Sequence, residues 1–249
     1  MTFHDHFSSV SAGYAQYRPH YPAELFDWLA ATVGGRERAW DCATGNGQAA
    51  VALADRFTRV VATDASADQL RHATPRPNLE YRQAVAEASG LAAHSVDLVV
   101  CAQAVHWLPR EAFFAEARRV LRPGRLIAVW GYHIPMVREE AIDTALTHFH
   151  DVVVGPHWPT GRQLVLDRYA TIAFPFDEIA APVFEMRCAW TLDDFAQYLG
   201  TQSATDRYRR ALGGADPVPD FVSRVEASWG GRQQVRDVYF PMFVRAGRT

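Results

Sequence analysis

Hydrophobic residues along this chain form short, nearly continuous runs, separated by segments with helical spacing. The strands predicted from these runs cover residues 39–43, 59–63, 79–85, 96–102 and 125–131. Between them, residues 48–56 and 111–121 space their apolar side chains as amphipathic helices do. Strands that are apolar throughout and alternate with helices are typical of a parallel sheet covered on both faces. The pattern therefore predicts an α/β fold.

The pattern changes after Pro135. It predicts one long helix over residues 138–154, and an aromatic and proline-rich stretch follows at 155–159. Two further strands are predicted at 183–190 and 235–245, with helical segments between them. We expect these later strands to complete the sheet and the helices between them to form a cap.

Composition narrows the function. The formal net charge of -3 is far from the strongly basic balance of nucleic-acid-binding proteins, so we expect no nucleic-acid partner. All 25 residues counted as lysine or arginine are arginines. The absence of lysine excludes a Walker A phosphate loop, a Schiff-base lysine and the Tyr/Lys pair of short-chain reductases.

The cysteines and the terminus favour a cytoplasmic protein. Cys42, Cys101 and Cys188 lie far apart without metal-ligand spacing, so we expect buried or inert thiols and no metal. The first residues lack the basic and apolar regions of a signal peptide. No apolar run approaches the roughly 20 residues of a membrane span, so no membrane partner is expected.

The loop after the first strand is the strongest candidate for a ligand site. Ligands bind beyond the carboxyl ends of parallel strands, and the small residues Ala43, Gly45 and Gly47 let backbone approach a ligand closely. Asp64, at the end of the second strand, can accept hydrogen bonds from both ribose hydroxyls. Residues 45–50 also match the G-x-G-x-x-A fingerprint of dinucleotide sites, with an acid about twenty residues on.

Asp41 separates these two interpretations. A carboxylate just before the turn is unfavourable beside a pyrophosphate, but it suits a cofactor with an ammonium and a sulfonium group. Together with the missing lysines, it favours a methyltransferase. A nicotinamide-dependent Rossmann oxidoreductase and a non-catalytic cofactor-binding module remain alternatives.

Several segments resemble one family. Residues 41–47 resemble the D-x-G-x-G-x-G motif of class I S-adenosylmethionine methyltransferases. Residues 103–107 resemble the family's motif after the fourth strand, and residues 121–124 resemble the turn before the fifth. The segments similar to the trans-aconitate methyltransferase-like branch are 14–22, 155–159 and 201–204. The resemblance implies a Rossmann-like, seven-stranded, mostly parallel sheet with helices on both faces, an antiparallel C-terminal strand and a small helical cap.

The resemblance also implies a domain organisation. We expect a single methyltransferase domain over residues 1–249, with its cofactor-binding core at 36–135. The other parts are an N-terminal lid segment at 1–35, a region with substrate cap helices at 136–234 and a final strand at 235–249.

S-adenosyl-L-methionine is the cofactor that the resemblance implies. The residues expected to bind it are Tyr14, Arg18, Asp41, Ala43, Gly45, Gly47, Asp64, Ala65, Ala86, Glu87 and Gln103. Arg18 is the candidate for the cofactor carboxylate, because a guanidinium binds carboxylates bidentately. Ala43 replaces the first glycine of the motif, and we expect it to have a φ near the β region, which tolerates alanine.

The acceptor is expected to be a small molecule, with a carboxylate or a hydroxyl oxygen as the nucleophile. His106 is the candidate general base. The alternative is that His106 packs with Trp107 as a hydrogen-bonded residue of the cavity wall. A carboxylate needs no base, and arginines would then matter more. The cap arginines available for that role are Arg138, Arg162, Arg168 and Arg187. The aromatic residues that would instead form core or an apolar pocket are Trp130, Tyr132, His133, Trp158, Phe174 and Phe176. The sequence leaves the oligomeric state open.

Overall fold

The computed structural model describes residues 18–249, and a twisted sheet with helices on both faces organises them. Its strands are β1 (Arg38–Cys42), β2 (Arg59–Asp64), β3 (Leu79–Gln83), β4 (Val96–Ala102), β5 (Leu121–Tyr132), β6 (Asp177–Ile179), β7 (Glu185–Trp190) and β8 (Arg236–Arg248). The α-helices are α1 (Ala23–Thr32), α2 (Gln48–Ala54), α3 (Ala67–Arg71), α4 (Arg110–Val120), α5 (Glu140–His148), α6 (Arg162–Leu166), α7 (Leu192–Gly200), α8 (Ser203–Ala211) and α9 (Val218–Trp229).

The strand order is β3-β2-β1-β4-β5-β8-β6, and β7 pairs with β8 beside this path. Strands β1 to β5 are parallel to one another, whereas β8 is antiparallel to β5, β6 and β7. The Rossmann-like fold class, including its antiparallel C-terminal strand, is therefore confirmed. Within residues 18–249 the sheet has eight strands rather than seven. The additional strand, β6, has three residues and is too short to give a recognisable apolar run.

The strand order reverses between β1 and β4: β2 and β3 follow β1 on one side, and β4 and β5 lie on its other side. Such a switch point opens a crevice at the carboxyl ends of the strands. The strands beside it are mostly apolar because both of their faces are covered; Asp41 on β1 and Asp97 on β4 are the buried exceptions. In β4, Leu98 and Val100 contribute to one core cluster, while Val99 and Cys101 contribute to the cluster on the opposite face.

The cap consists of the helices between β5 and β8. The long helix predicted over 138–154 is α-helical only to His148 and continues as a π-helical turn over Phe149–Val153. Phe149 packs edge-on against Phe221 of α9, with ring centroids 5.5 Å apart, so the turn is fixed by the cap's own core. Within the described range, none of the helices combines the length and apolarity needed to cross a membrane.

Candidate functional site

The loop after β1 lies at the switch point and makes a tight turn. The amide of Thr44 donates to the carbonyl of Thr63 on β2 at 3.0 Å, and the amide of Gly47 donates to the carbonyl of Thr44 at 3.0 Å. Gly47 has a φ of 88°, and a Cβ atom there would collide with the hydroxyl group of Tyr81 on β3. Conformation and space both exclude a side chain, so the loop presents bare backbone.

Ala43 corrects one expectation. Its φ is 55°, in the left-handed region, whereas the sequence predicted a value near the β region. The chain leaves β1 by turning sharply at this residue, so Ala43 has the conformation that the motif's glycine provides. Gln103 turns the chain in the same way after β4, with a φ of 52°. Both strands that border the switch point therefore end in a left-handed residue that is not glycine.

Replacing Ala43 with glycine is expected to stabilise the protein. The left-handed region costs alanine about 1–2 kcal/mol, and glycine avoids this cost but loses more backbone entropy on folding. The net gain should be up to about 1 kcal/mol, or roughly 2–4 °C in the midpoint of thermal unfolding. As a control, Ala104→Gly should lower the midpoint, because Ala104 has a negative φ of −134°, so glycine relieves no left-handed strain there and only adds backbone entropy to the unfolded chain. A lower midpoint for Ala43→Gly would contradict the assignment of strain.

Asp41, the penultimate residue of β1, is fully buried, with 0% of its surface exposed. Its Oδ2 atom accepts a hydrogen bond from the Thr44 hydroxyl at 2.5 Å. Its Oδ1 atom has no hydrogen-bond partner in the described part of the chain. Burial raises the pKa of Asp41 to about 7; the bond from Thr44 opposes this shift, and the carboxylate of Asp64 adds to it. Asp41 is thus a buried acceptor that can ionise, and within residues 18–249 no cationic side chain is paired with it.

Asp64 lies at the end of β2 and holds two loops together. Its Oδ2 atom accepts from the amide of Gly45 at 2.8 Å, and its Oδ1 atom accepts from the amide of Ser66 at 2.8 Å. Gly45 has a φ of 58°, which brings its amide toward the carboxylate. Each carboxylate oxygen has a second acceptor position, so Asp64 can bind the loops and a ribose at the same time. Ser66 caps α3 by accepting from the amide of Gln69 at 3.4 Å.

The segment after β3 borders the same crevice. Ala86 is buried and Glu87 is exposed, while Ala65, after β2, is half-buried. Glu116 of α4 anchors this segment by accepting from the amide of Ser89 at 3.0 Å and from its hydroxyl at 2.5 Å. Sequence reasoning missed Glu116, because it lies on a helix face that otherwise follows an ordinary amphipathic pattern.

The N-terminal segment reaches the site through Arg18, the first described residue. Its guanidinium donates to the Tyr132 hydroxyl at 3.0 Å and to the carbonyl of Thr201 at 3.2 Å. Next to it, the carbonyl of Pro19 accepts from Gln48, the first residue of α2, at 3.0 Å. Arg18 therefore links the end of β5 to the cap, while Pro19 contacts the start of α2. Tyr14, the other predicted residue of this segment, lies outside the described residues.

A cavity of about 110 Å³ opens between the carboxyl end of the sheet and the cap. Its wall includes Arg18, Gln103, His106, Tyr132, Trp158 and Arg162. Gln103 is held in place by its Oε1 atom, which accepts from the amide of Tyr132 at 2.9 Å. Of the aromatic residues named from the sequence, Tyr132, His133 and Trp158 line the cavity, whereas Trp130, Phe174 and Phe176 pack in or against the core.

His106 lies on a short 3₁₀ turn, Val105–Trp107, at the mouth of β4. Its Nδ1 atom is 2.7 Å from the hydroxyl oxygen of Tyr169, and its ring packs on Trp107 with centroids 4.7 Å apart. Burial, together with smaller effects of the charges of Arg162 and Arg110, lowers the pKa of His106 to about 3. The imidazole is therefore neutral, and it has little tendency to take up a proton.

The structure distinguishes the four cap arginines. Arg138 pairs with Glu185, Arg187 pairs with Asp237, and Arg168 donates to His133 at 3.3 Å. Arg162 is half-buried in the cavity wall, with its guanidinium carbon 4.1 Å from the centroid of the Trp158 ring. Among residues 18–249 it has no carboxylate within 4 Å, and burial lowers its pKa. The charge of Asp151 acts on the guanidinium only from beyond 4 Å, so Arg162 faces the cavity without a contacting carboxylate from the described residues and is suited to bind an anion.

Two further cavity residues escaped the sequence reasoning. The Nδ1 atom of His150 is bonded to the carbonyl of Leu146 at 2.9 Å, and its ring stacks on Trp158. The Nε2 atom of His150 and the Oε1 atom of Gln202 are buried, and neither has a hydrogen-bond partner in the described range. Gln202 lies in the segment 201–204 that resembles known cap segments, which was the available signal; His150 lies inside a helical pattern and gave none.

Known methyltransferases are similar to this chain in sequence and in fold. A family model described as a methyltransferase domain matches residues 40–129, from the middle of β1 to a point within β5. A solved structure of a putative type II methyltransferase from Anaeromyxobacter dehalogenans is 39% identical and superposes with a TM-score of 0.87. That similarity covers 93% of this chain and 97% of the other.

Two curated relatives extend the likeness. A putative methyltransferase of Dictyostelium discoideum is 28% identical over 248 residues, which cover 97% of this chain and 94% of that protein. A probable S-adenosylmethionine-dependent methyltransferase of Saccharomyces cerevisiae is 26% identical over 239 residues, covering 80% of this chain and 81% of that one. These matches include the cap as well as the sheet.

Proposed function

Because this chain belongs to the class I S-adenosylmethionine-dependent methyltransferase family, we propose that it methylates a small-molecule acceptor bound in the cavity beside Gln103, using S-adenosyl-L-methionine. The acceptor atom is a carboxylate or a hydroxyl oxygen, and the observations below favour a carboxylate. The observation that carries this proposal is the cavity itself, which joins the carboxyl end of the sheet to Arg162, an arginine with no carboxylate within 4 Å among residues 18–249.

The residues at the loop fit the cofactor. Asp41 offers a buried oxygen without a partner in residues 18–249. The ammonium group of S-adenosyl-L-methionine needs such a hydrogen-bond acceptor, and its sulfonium charge is favoured by a nearby carboxylate. We assign the ribose to Asp64 and the cofactor carboxylate to Arg18, which lies at the cavity. The remaining residues assigned to the cofactor are Ala43, Gly45, Gly47, Ala65, Ala86, Glu87 and Gln103. When bound, the cofactor supplies an electrophilic methyl group on a positively charged sulfur.

Arg162 favours a carboxylate as the acceptor. An ionised carboxylate attacks with its own lone pair, so no proton has to leave, and its charge is neutralised as the new bond forms. A hydroxyl group must lose a proton, but His106 is a weak base because burial lowers its pKa to about 3. The chain's own contribution is then to orient the acceptor and to exclude water.

Cofactor binding should release a proton near neutral pH. An unfolded aspartic acid titrates near pH 3.9, whereas burial raises the pKa of Asp41 to about 7. Asp41 therefore contributes to the free energy of unfolding fully below about pH 4, and this contribution is lost as the pH rises through 7. A bound cation favours the ionised form, so S-adenosylmethionine should bind more tightly as the pH rises toward about 8.

Calorimetric titration in buffers with different protonation enthalpies measures this proton. We expect release in the wild type between about pH 6 and 8, no release for Asp41→Asn, and wild-type release for the exposed control Asp55→Asn. Proton release that persists in Asp41→Asn would assign the titration to another group.

Binding and transfer assays together test the proposed function. S-adenosylhomocysteine should bind the purified protein, and NADH should not. A panel of small carboxylic acids, their methyl esters and matched alcohols should then be screened with labelled methyl donor, and label is expected in the ester products of the acids. Tight NADH binding without S-adenosylhomocysteine binding would overturn the proposal in favour of the nicotinamide enzyme. Cofactor binding without transfer to any acceptor would favour a non-catalytic module.

A further inference from the structure

The contact between His106 and Tyr169 crosses from the sheet to the cap. The two residues are 63 positions apart, and the Nδ1 atom lies 2.7 Å from the hydroxyl oxygen. Tyr169 is fully buried, with 0% of its surface exposed, and its ring packs edge-on against Phe243 of β8 at 4.9 Å. Nothing in the proposed methyl transfer requires a buried tyrosine at this place, so the contact needs its own explanation.

The backbone holds Tyr169 in an unfavourable conformation. Arg168 and Tyr169 have φ values of 54° and 58°, so two successive non-glycine residues lie in the left-handed region. The guanidinium of Arg245 fixes this turn by donating to the carbonyls of Tyr169 at 2.7 Å and Ile172 at 2.6 Å. Strain of this kind persists only where surrounding contacts impose it, and such places are often functional.

The hydrogen positions follow from burial. A buried hydroxyl group donates its hydrogen wherever an acceptor is available. Among residues 18–249, the one hydrogen-bond partner of the Tyr169 hydroxyl is the Nδ1 atom of His106. If Nδ1 carried the hydrogen instead, the tyrosine hydrogen would have no acceptor. Burial also raises the pKa of Tyr169 well above its usual value, so the hydroxyl stays protonated.

We infer that Tyr169 is a positioning residue that fixes His106 as the tautomer protonated on Nε2, so that His106 donates a hydrogen bond to the bound acceptor instead of removing a proton from it. The charged groups that act on the imidazole, Arg162 and Arg110, also disfavour a second proton. Gly161 of the cap packs closely against the 3₁₀ turn that carries His106, because a Cβ atom at Gly161 would lie 3.0 Å from the His106 carbonyl oxygen.

The inference defines the chemistry of one wall of the cavity. His106 and Arg162 then present only hydrogen-bond donors, and they favour an acceptor group that is already ionised. The assignment of that group rests on the proposed function. The assignment of the His106 tautomer does not depend on the proposed function, because the tautomer is a property of the protein without ligands.

Nitrogen-15 NMR of the histidine side chains tests the tautomer directly. In the ligand-free wild type, the signals assigned through their loss in His106→Gln should show a protonated Nε2 and an unprotonated Nδ1. They should not titrate between about pH 5 and 9. In Tyr169→Phe, which removes only the hydroxyl group, we expect a mixture of tautomers. Protonation on Nδ1 in the wild type, or titration within this range, would overturn the inference. The wild-type spectrum decides the question even if Tyr169→Phe fails to fold.

Kinetics test the role once an acceptor is known. Tyr169→Phe should raise KM for the acceptor by roughly tenfold, the loss of one net hydrogen bond, with a smaller change in kcat. His106→Gln retains a side-chain donor and should restore most of the activity that His106→Ala loses. An ascending limb in the pH profile of kcat that disappears in His106→Gln would show a general base and overturn the inference. If no acceptor is found, the proposed function fails while the NMR result still stands.

Discussion

Replacing Arg162 with glutamine is expected to reduce kcat/KM for a carboxylate acceptor by roughly 150-fold. Truncating one partner of a buried, hydrogen-bonded charge pair costs about 2–5 kcal/mol, and 3 kcal/mol corresponds to that factor. The effect should appear mainly in KM, because the guanidinium binds the acceptor before and during transfer. Steady-state kinetics with the acid found by screening measures it.

The controls separate binding from folding. Arg187→Gln removes an arginine of the same cap that is exposed and paired with Asp237, so its kinetics should match the wild type. Arg162→Gln should leave S-adenosylhomocysteine affinity unchanged. Its thermal stability should also change little, because the lost contact to Trp158 is offset by removal of a partly desolvated charge. Equal kinetics for Arg162→Gln and the wild type would show that the cavity anion site is not used.

Replacing Asp64 with asparagine should weaken S-adenosylhomocysteine binding by roughly 10- to 150-fold, or about 1.5–3 kcal/mol. The carboxylate accepts from the amides of Gly45 and Ser66, each at 2.8 Å. An amide side chain has a single oxygen and cannot accept from both without turning its NH₂ group toward one of them. The variant therefore loosens the loop and also removes the charge proposed to bind the ribose.

Asp68→Asn is the matched control for this variant. Asp68 lies on α3, one turn beyond the site, and forms an ion pair with Arg71 near the surface. Its removal should leave cofactor affinity unchanged. Calorimetric titration measures both affinities, and thermal unfolding of the ligand-free proteins should show a lower midpoint for Asp64→Asn alone. Unchanged affinity in Asp64→Asn would remove Asp64 from the site.

The sheet and the turn after β1 were predictable because their causes are local. The bounds predicted for β4 agree with the structure, since its two covered faces favour apolar residues; the exception, Asp97, lies near the start of the strand, where Arg122 and the amides of Glu37 and Arg38 bind its carboxylate. β6 was missed because its residues, Asp177–Ile179, lie at an edge, are mainly exposed, and owe their extended form to pairing with β8. The left-handed φ of Ala43 was also missed, because intrinsic preference opposes it and only the turn at the strand end imposes it.

The cavity was less predictable because its properties depend on long-range contacts. Four cap arginines were equivalent in the sequence, and only their partners in the folded chain distinguish Arg162 from Arg138 and Arg187. Likewise, the chemistry of His106 depends on Tyr169, which no local pattern connects to it. Local sequence therefore supplied the residues proposed to bind the cofactor, whereas the residues proposed to bind the acceptor could be distinguished only in the tertiary structure.

The position of β8 has a consequence for synthesis of the chain on the ribosome. β8 pairs with β5 from Leu126↔Arg248 to Tyr132↔Met242, yet every helix of the cap lies between these strands in the sequence. While the cap is being translated, the backbone amides and carbonyls on the edge of β5 that pairs with β8 have no strand to bind. Such an edge readily pairs with another nascent chain. The early strands with the cofactor loop can form first, so translation speed through the cap should govern how much of the protein aggregates.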